Sequence, residues 1–131
     1  MDNIDLVYVI DDDPLYIFSM KKVLKLTEFC DDAKFFKNGQ EALDELIPLL
    51  EEGNLPTVIF LDISMPLMNG WELLDHLVKY PKAKDMKIFI VSSSIDPYDT
   101  GKSSSYDIVT DYIYKPITIE KMKELKTKLL A

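Results

Sequence analysis

The sequence predicts a doubly wound α/β fold, in which helices cover both faces of a parallel β-sheet. Three short runs, residues 6–10, 57–61 and 87–91, are almost continuously apolar and rich in β-branched residues, as is typical of strands covered on both faces. Helical patterns lie between these runs, and parallel strands require such crossover connections. With 131 residues, 47% of them hydrophobic and 29% charged, the chain has the size and composition of one globular domain.

The first half of the chain predicts two strand–helix units. Residues 6–10 form the first strand, and Pro14 begins a helix behind an aspartate cap that continues to about Thr27. The apolar residues at helical spacing in this segment are Leu15, Phe18, Val23 and Leu26. Residues 33–37 form a weaker strand nearer the sheet edge, and residues 40–52 form a second amphipathic helix.

The second half continues the alternation. Residues 57–61 form the third strand, and the helix after it has an apolar stripe of Trp71, Leu74, Leu77 and Val78. Residues 87–91 form the fourth strand. Residues 96–109 contain a proline, a glycine and three consecutive serines, so a helix there should be short or frayed. Residues 111–114 form the last strand, and Thr118 caps a final helix that turns Met122, Leu125 and Leu129 inward.

Composition excludes several classes of site and partner. Cys30 is the only cysteine and His76 the only histidine, which rules out an internal disulfide, a multi-cysteine zinc site and a histidine-rich metal site. The chain has no arginine, so bidentate guanidinium clamps are absent. The net charge of −8 argues against nucleic acid and favours a cation or a basic protein surface as partner. No segment has the apolar length of a membrane span, and the N-terminal residues lack signal-peptide features, so we expect a cytoplasmic protein without membrane contact.

Polar residues follow directly after the predicted strands. Asp11 and Asp12 follow the first strand and Asp62 follows the third, while Ser92 and Lys115 follow the fourth and fifth. In doubly wound sheets the ligand lies beyond the carboxyl ends of the strands, where strand order reverses. For the strand order 2-1-3-4-5 the three aspartates should converge there. Carboxylates so close together need a cation, and their oxygen atoms favour Mg²⁺ over Ca²⁺ or Mn²⁺.

An acidic metal site beside a lysine and a small hydroxyl group suggests phosphoryl chemistry. The metal ion and Lys115 would neutralise charge on the transferring group, and Ser92 would donate a hydrogen bond to it. On this reasoning the nucleophile is either water or one of the carboxylates.

Four segments of the chain resemble the receiver domains of two-component response regulators. They are residues 9–14 (Val-Ile-Asp-Asp-Asp-Pro), 60–70 (Phe-Leu-Asp-Ile-Ser-Met-Pro-Leu-Met-Asn-Gly), 90–93 (Ile-Val-Ser-Ser) and 112–116 (Tyr-Ile-Tyr-Lys-Pro). The resemblance implies one receiver domain over residues 1–131, with a flavodoxin-like five-stranded sheet in the order 2-1-3-4-5. It also implies a signalling switch that catalyses only its own phosphorylation and dephosphorylation. Its partners would be a sensor histidine kinase or histidine phosphotransfer protein and an unknown downstream protein.

The same resemblance assigns roles around the acidic cluster. Asp62 would accept the phosphoryl group, giving an aspartyl phosphate. Asp12 would bind Mg²⁺ directly and Asp11 mostly through water, while the backbone carbonyl of Ser64 would complete the protein ligands together with Asp62.

The remaining assignments concern the last two strands. Ser92 would move toward the phosphoryl group and Lys115 would contact it. Tyr112 would be the aromatic switch residue, whose side chain turns inward when Ser92 moves. The peptide bond before Pro116 is usually cis in this family, and the interval from Ser92 to Lys115 is about one residue longer than in common relatives.

Three other functions fit a fold of this class. A pure interaction module would keep the fold without being phosphorylated, although every member of the acidic site is present here. A flavodoxin-like electron carrier would need a phosphate-binding loop after the first strand, where three aspartates would repel a flavin phosphate. A haloacid-dehalogenase-type phosphatase needs a second aspartate two residues after the nucleophile, and Ser64 stands there.

Overall fold

The sheet has five parallel strands in the predicted order. A computed structural model of the protein describes residues 3–131; Met1 and Asp2, which begin the N-terminal segment predicted to lack signal-peptide features, lie outside the described residues. The strand order is β2-β1-β3-β4-β5. In chain order the strands are β1 (Leu6–Ile10), β2 (Asp32–Phe36), β3 (Val58–Leu61), β4 (Lys87–Ser92) and β5 (Val109–Tyr114). The predicted fold class is therefore confirmed.

Helices α1 to α4 connect consecutive strands, α5 follows β5, and each begins behind a capping side chain. They are α1 (Pro14–Leu26), α2 (Gly39–Glu52), α3 (Gly70–Leu77), α4 (Pro97–Ser104) and α5 (Ile119–Leu130). A 3₁₀ turn, Pro81–Asp85, precedes β4. The caps are Asp13, Asn38, Asn69, Asp96 and Thr118. Helix α4 has eight residues and is short, as its serine-rich sequence predicts. Among residues 3–131, no helix combines the length and apolar character that a bilayer crossing requires.

Side chains alternate along the strands between two hydrophobic cores, one on each face of the sheet. Val7 and Val9 of β1 lie in the core that α1 and α5 cover. Tyr8 and Ile10 lie in the core that α2 and α3 cover. Because both faces of the central strands are buried, their sequences read as continuous apolar runs rather than as alternating patterns.

Three of the four apolar residues that mark α1 in the sequence lie outside its buried face, while Val23 is half-buried against the core. Leu15, Phe18 and Leu26 are exposed, whereas Met20 and Leu24 are buried. The cap and the proline at the first position fix where α1 begins, and from that start the inward stripe falls on other positions. On α3, Val78 likewise follows the helix as its C-cap and is half exposed.

Strand β5 contains one extra residue. Ile88 pairs with Val109 and Phe89 pairs with Asp111, so Thr110 is a bulge opposite β4. The bulge takes up one residue of the long interval between Ser92 and Lys115. Strand β5 also begins two residues earlier than predicted.

Side chains join the end of α4 to α3. The rings of Trp71 and Tyr106 are stacked with their centroids 5.8 Å apart. The Lys102 ammonium group lies 4.9 Å from the centroid of the Trp71 ring. The Tyr106 hydroxyl donates a 2.7 Å hydrogen bond to Asp75. The segment that follows α4 is thus attached to α3 by the Tyr106 ring and hydroxyl, and α4 itself contacts Trp71 through Lys102.

Candidate functional site

The carboxyl ends of β1 and β3 bring three aspartates together. Ile10 pairs with Leu61, and the Asp62 N–H donates a 2.9 Å hydrogen bond to the Ile10 carbonyl, so the residues after the two strands are neighbours. Asp11, Asp12 and Asp62 each place a carboxylate oxygen within 4.8 Å of the others. Asp11 and Asp62 are buried, while Asp12 is exposed. The predicted convergence of the three carboxylates is present.

Lys115 joins this cluster from the residue after β5. Its Nζ atom lies 2.7 Å from Asp11 Oδ2 and 3.7 Å from Asp62 Oδ2. Among the described residues, the Asp11 oxygen is buried with no polar partner other than this ammonium group. The backbone N–H of Lys115 donates a 2.8 Å hydrogen bond to the Ser92 carbonyl, and the peptide bond between Lys115 and Pro116 is cis. One cation therefore faces two buried anions.

The electrostatics of the cluster alter the pKa of the Asp62 carboxyl. Burial, followed by the negative charge of Asp11, raises the pKa of the Asp62 carboxyl to about 6. The Lys115 ammonium group and the Ser64 N–H, which lies 3.4 Å from Asp62 Oδ1, act in the opposite direction. The single lysine does not fully offset desolvation and repulsion, so a further cation would favour the ionised carboxylate.

The loop between β3 and α3 folds back tightly onto Asp62. A Cβ atom on Gly70 would lie 2.6 Å from the Asp62 carbonyl oxygen and 2.8 Å from Ile63 Cα, closer than real Cβ contacts allow. Only glycine fits here without a backbone shift. Asn69 then caps α3 in a reciprocal capping box with Glu72. This packing holds Ser64, whose carbonyl is the predicted metal ligand, on the segment that borders the cluster.

Ser92 lies at the end of β4 and connects the site to α4. It is buried, and its Oγ atom accepts a 3.1 Å hydrogen bond from the Ser94 N–H. The Ser94 hydroxyl donates a 2.7 Å hydrogen bond to Asp99 in α4. The Tyr112 hydroxyl donates a 3.0 Å hydrogen bond to the Ser94 carbonyl. The predicted switch residue is half-buried and tied to the same loop as Ser92.

Two residues at the site, Gly70 and Tyr16, have no role predicted from the sequence. The Tyr16 ring centroid lies 4.3 Å from Lys115 Nζ, and its hydroxyl is buried with no hydrogen-bond partner in the described chain. Burial, together with the charges of Asp11 and Asp62, raises the pKa of this hydroxyl. The one indication of Tyr16 in the sequence is its position, because it is the third residue of a helix that begins directly after the acidic triplet.

The chemistry of the cluster fits a hard divalent cation. Every side-chain donor is a carboxylate oxygen, which Mg²⁺ prefers to nitrogen or sulfur. Asp12 is exposed and carries no ion pair in residues 3–131, so its carboxylate is available from solvent.

Comparison of the sequence with known proteins supports one family. A family model for the response regulator receiver domain matches residues 7–127. An uncharacterized response regulatory protein of Vibrio cholerae is 32% identical over 120 residues, which are 91% of this chain and 42% of that protein. A protein-glutamate methylesterase/protein-glutamine glutaminase of Desulfotalea psychrophila is 33% identical over 84% of this chain and 29% of its own length. The chain thus spans less than half the length of these two relatives.

Solved structures agree with the sequence comparison. A two-component response regulator from Cytophaga hutchinsonii has a TM-score of 0.87 and 33% identity, with 98% of both chains covered. The chemotaxis response regulator CheY4 of Vibrio cholerae has a TM-score of 0.77 and 19% identity, covering 98% of this chain and all of that one. At 19% identity the second likeness shows the fold alone.

Proposed function

This chain belongs to the response regulator receiver domain family, and we propose that it is a phosphorylation-dependent switch of a two-component or phosphorelay system. A sensor histidine kinase or histidine phosphotransfer protein supplies the phosphoryl group, Asp62 accepts it, and a downstream protein reads the result. The receiver domain extends over residues 1–131 in this proposal, and the protein works in the cytoplasm, as is typical of the family.

The observation that carries the proposal is the shared ammonium group of Lys115. It lies within 4 Å of both Asp11 and Asp62, at an edge of the sheet where three carboxylates converge. The Lys115 ammonium group in this position can pair with the free Asp62 carboxylate and, after transfer, with a phosphoryl group bound to Asp62. An acidic cluster alone would support only metal binding, whereas the lysine adds the means to stabilise a transferred anion.

The residues present support a balanced transfer step. Asp11, Asp12, Asp62 and the Ser64 carbonyl would hold Mg²⁺, which when bound neutralises charge on the phosphoryl oxygens. The Asp62 carboxylate attacks phosphorus in line with the leaving group, a new P–O bond forms, and the P–N bond to the donor imidazole breaks. The imidazole leaves with the bonding electron pair and takes a proton from water.

The return step needs no further protein. Water attacks the phosphorus of the aspartyl phosphate, the bond to Asp62 breaks, and the free carboxylate and inorganic phosphate result. In the phosphorylated state Lys115 pairs with a phosphoryl oxygen and the Ser92 hydroxyl donates to another. The protein thereby catalyses only reactions of its own side chain and is a signalling switch rather than an enzyme with an external substrate.

The test is phosphorylation by acetyl phosphate with Mg²⁺, followed by intact-mass spectrometry. We expect one phosphoryl group on the wild-type protein and none on Asp62→Asn, because the amide keeps the shape of the side chain but is not a nucleophile. Asp107→Asn, which changes an exposed aspartate outside the site, should be labelled like the wild type. Labelling of Asp62→Asn at the wild-type rate would refute the assignment. A wild-type protein that takes up no label would instead be an interaction module.

A further inference from the structure

The ring of Tyr16 covers one side of the Lys115 ammonium group. The distance from Lys115 Nζ to the ring centroid is 4.3 Å, within the range of a cation–π interaction. The same Nζ atom lies 2.7 Å from Asp11 Oδ2 and 3.7 Å from Asp62 Oδ2. The Lys115 side chain is 18% exposed, so these contacts involve a largely buried lysine.

Local hydrogen bonds place Tyr16 in this position. The Asp13 N–H donates a 2.9 Å hydrogen bond to Asp11 Oδ1, and the Asp13 side chain accepts a 3.0 Å hydrogen bond from the Leu15 N–H. Pro14 then occupies the first position of α1. The carboxylate that pairs with Lys115 through one oxygen therefore also orients, through its other oxygen, the turn that carries Tyr16. Asp11 thus helps to position both the Lys115 ammonium group and the turn that carries the Tyr16 ring.

The part of Tyr16 that contacts the site is its ring. The hydroxyl is buried and has no partner among the described residues, so it adds no hydrogen bond that would explain its position. A lysine side chain has four flexible carbon–carbon bonds, and an ion pair with Asp11 alone leaves many of its rotamers open. The ring of Tyr16 removes part of this freedom.

We propose that Tyr16 is a positioning residue for Lys115. Its ring keeps the ammonium group where it can move from Asp11 to a phosphoryl group on Asp62, instead of turning toward solvent. This inference rests on the proposed function, because it concerns the lysine that neutralises the transferred group. It assigns a role in the site to an aromatic residue of α1 that is neither a metal ligand nor the phosphate acceptor.

The test separates the ring from the hydroxyl. Tyr16→Phe keeps the ring, Tyr16→Leu removes it, and Tyr16→Met is a second ring-free variant in case the leucine variant folds poorly. Phe18→Leu is the matched control, because it removes a similar contact on the same helix, in which Lys22 rather than Lys115 lies 4.5 Å from the ring centroid. The measurement is the dependence of the phosphorylation rate on acetyl phosphate concentration, at saturating Mg²⁺ and with melting curves for each variant.

We expect the maximal rate to fall about tenfold in Tyr16→Leu and Tyr16→Met, the change expected for loss of a desolvated cation–π contact. The half-saturating concentration should change little, since the residue acts after the donor is bound. Tyr16→Phe and Phe18→Leu should react like the wild type. Wild-type rates in both ring-free variants would overturn the proposal, and so would an equal loss in Tyr16→Phe.

A second measurement does not depend on phosphorylation. Ring currents should shift the ε-methylene protons of Lys115 upfield in the unphosphorylated wild type and in Tyr16→Phe, and this shift should vanish in Tyr16→Leu. An unshifted Lys115 resonance in the wild type would overturn the inference. If the shift is present but the wild type takes up no phosphoryl group, the proposed function fails while the contact stands.

Discussion

Asp62 is folded into surroundings that oppose its own charge. Its pKa is about 6 in the folded protein, compared with 3.8 for the ordinary group, so the folded state binds a proton at Asp62 more tightly than the unfolded state does. The protonated side chain therefore favours folding below about pH 4, and this contribution is lost as the pH rises through about 6. Burial and the charge of Asp11 are the main causes.

The raised pKa of Asp62 leads to a prediction for the metal-free protein. In buffer with a chelator, Asp62→Asn should raise the free energy of unfolding near pH 7 by an amount on the order of 2 kcal/mol, because the neutral amide carries no buried charge. Near pH 4 the variant and the wild type should differ little. Urea unfolding across this range measures the effect, with Asp107→Asn as an exposed control. A variant less stable than the wild type near pH 7 would show that repulsion does not dominate at Asp62.

The acidic side chains could be predicted from the sequence, whereas Tyr16 could not. Asp11, Asp12 and Asp62 each follow a strand, and the strand order alone decides that they meet. The position of Tyr16 depends on how α1 is rotated about its axis. The exposed Leu15 and Phe18 are more obvious apolar markers in this helix than the buried Met20, so the inward face was not evident without the packed structure.

In the turn from β3 to α3, the backbone leaves no room for a side chain at Gly70. Gly70→Ala should lower the free energy of unfolding by roughly 1–3 kcal/mol, because its new Cβ atom would meet backbone atoms of Asp62 and Ile63 that cannot rotate away. Phosphorylation should slow as well, since the displaced backbone carries Asp62, the proposed acceptor. Gly101→Ala in α4 is the matched control, because nothing lies within 4 Å of the added Cβ atom. That control should be neutral or stabilising by up to about 1 kcal/mol, and equal effects of the two changes would contradict this explanation.

The β4–α4 loop is the expected route by which a signal leaves the site. Ser92, Ser94 and Tyr112 share one set of hydrogen bonds, and Ser94 also contacts α4 through Asp99. Movement of Ser92 toward a phosphoryl group would break its bond from Ser94 and release Tyr112. Beryllofluoride, which mimics the aspartyl phosphate, should therefore change amide hydrogen exchange throughout residues 93–112. Asp62→Asn with beryllofluoride should show no such change. Changes confined to the neighbourhood of Asp62 would contradict this route.

The central strands were predictable to within one residue, and β5 was less so. Strands β1, β3 and β4 are buried on both faces, so burial alone produces their apolar runs. Strand β5 lies at the sheet edge. Four of its six residues are threonine, aspartate or tyrosine, and all four are exposed or half-buried, so its apolar pattern is weak. The bulge at Thr110 depends on the register against β4, and no local property of Thr110 indicates it.

For the domain as a whole, the acidic balance predicts stabilisation by Mg²⁺. The net charge is −8, and three of the carboxylates converge on one site. Because Mg²⁺ should bind the folded state and not the unfolded chain, it should raise Tm, with a stabilisation of about 1.4 kcal/mol at ten times the dissociation constant. Differential scanning calorimetry should show this rise in the wild type and little of it in Asp12→Ala. Sodium chloride at matched ionic strength is the control, and an equal rise with that salt would mean general screening instead of a site.

The stacked pair of Trp71 and Tyr106 gives the protein a built-in optical reporter. Trp71 is the sole tryptophan of the chain, so all indole emission originates at the contact between α3 and α4. The Lys102 ammonium group over the same ring links that emission to a residue of α4 itself. Any displacement of α4 that separates the stack changes the environment of this one fluorophore. If phosphorylation displaces α4 as proposed, the wavelength and intensity of Trp71 fluorescence should report this change in real time, with no added dye.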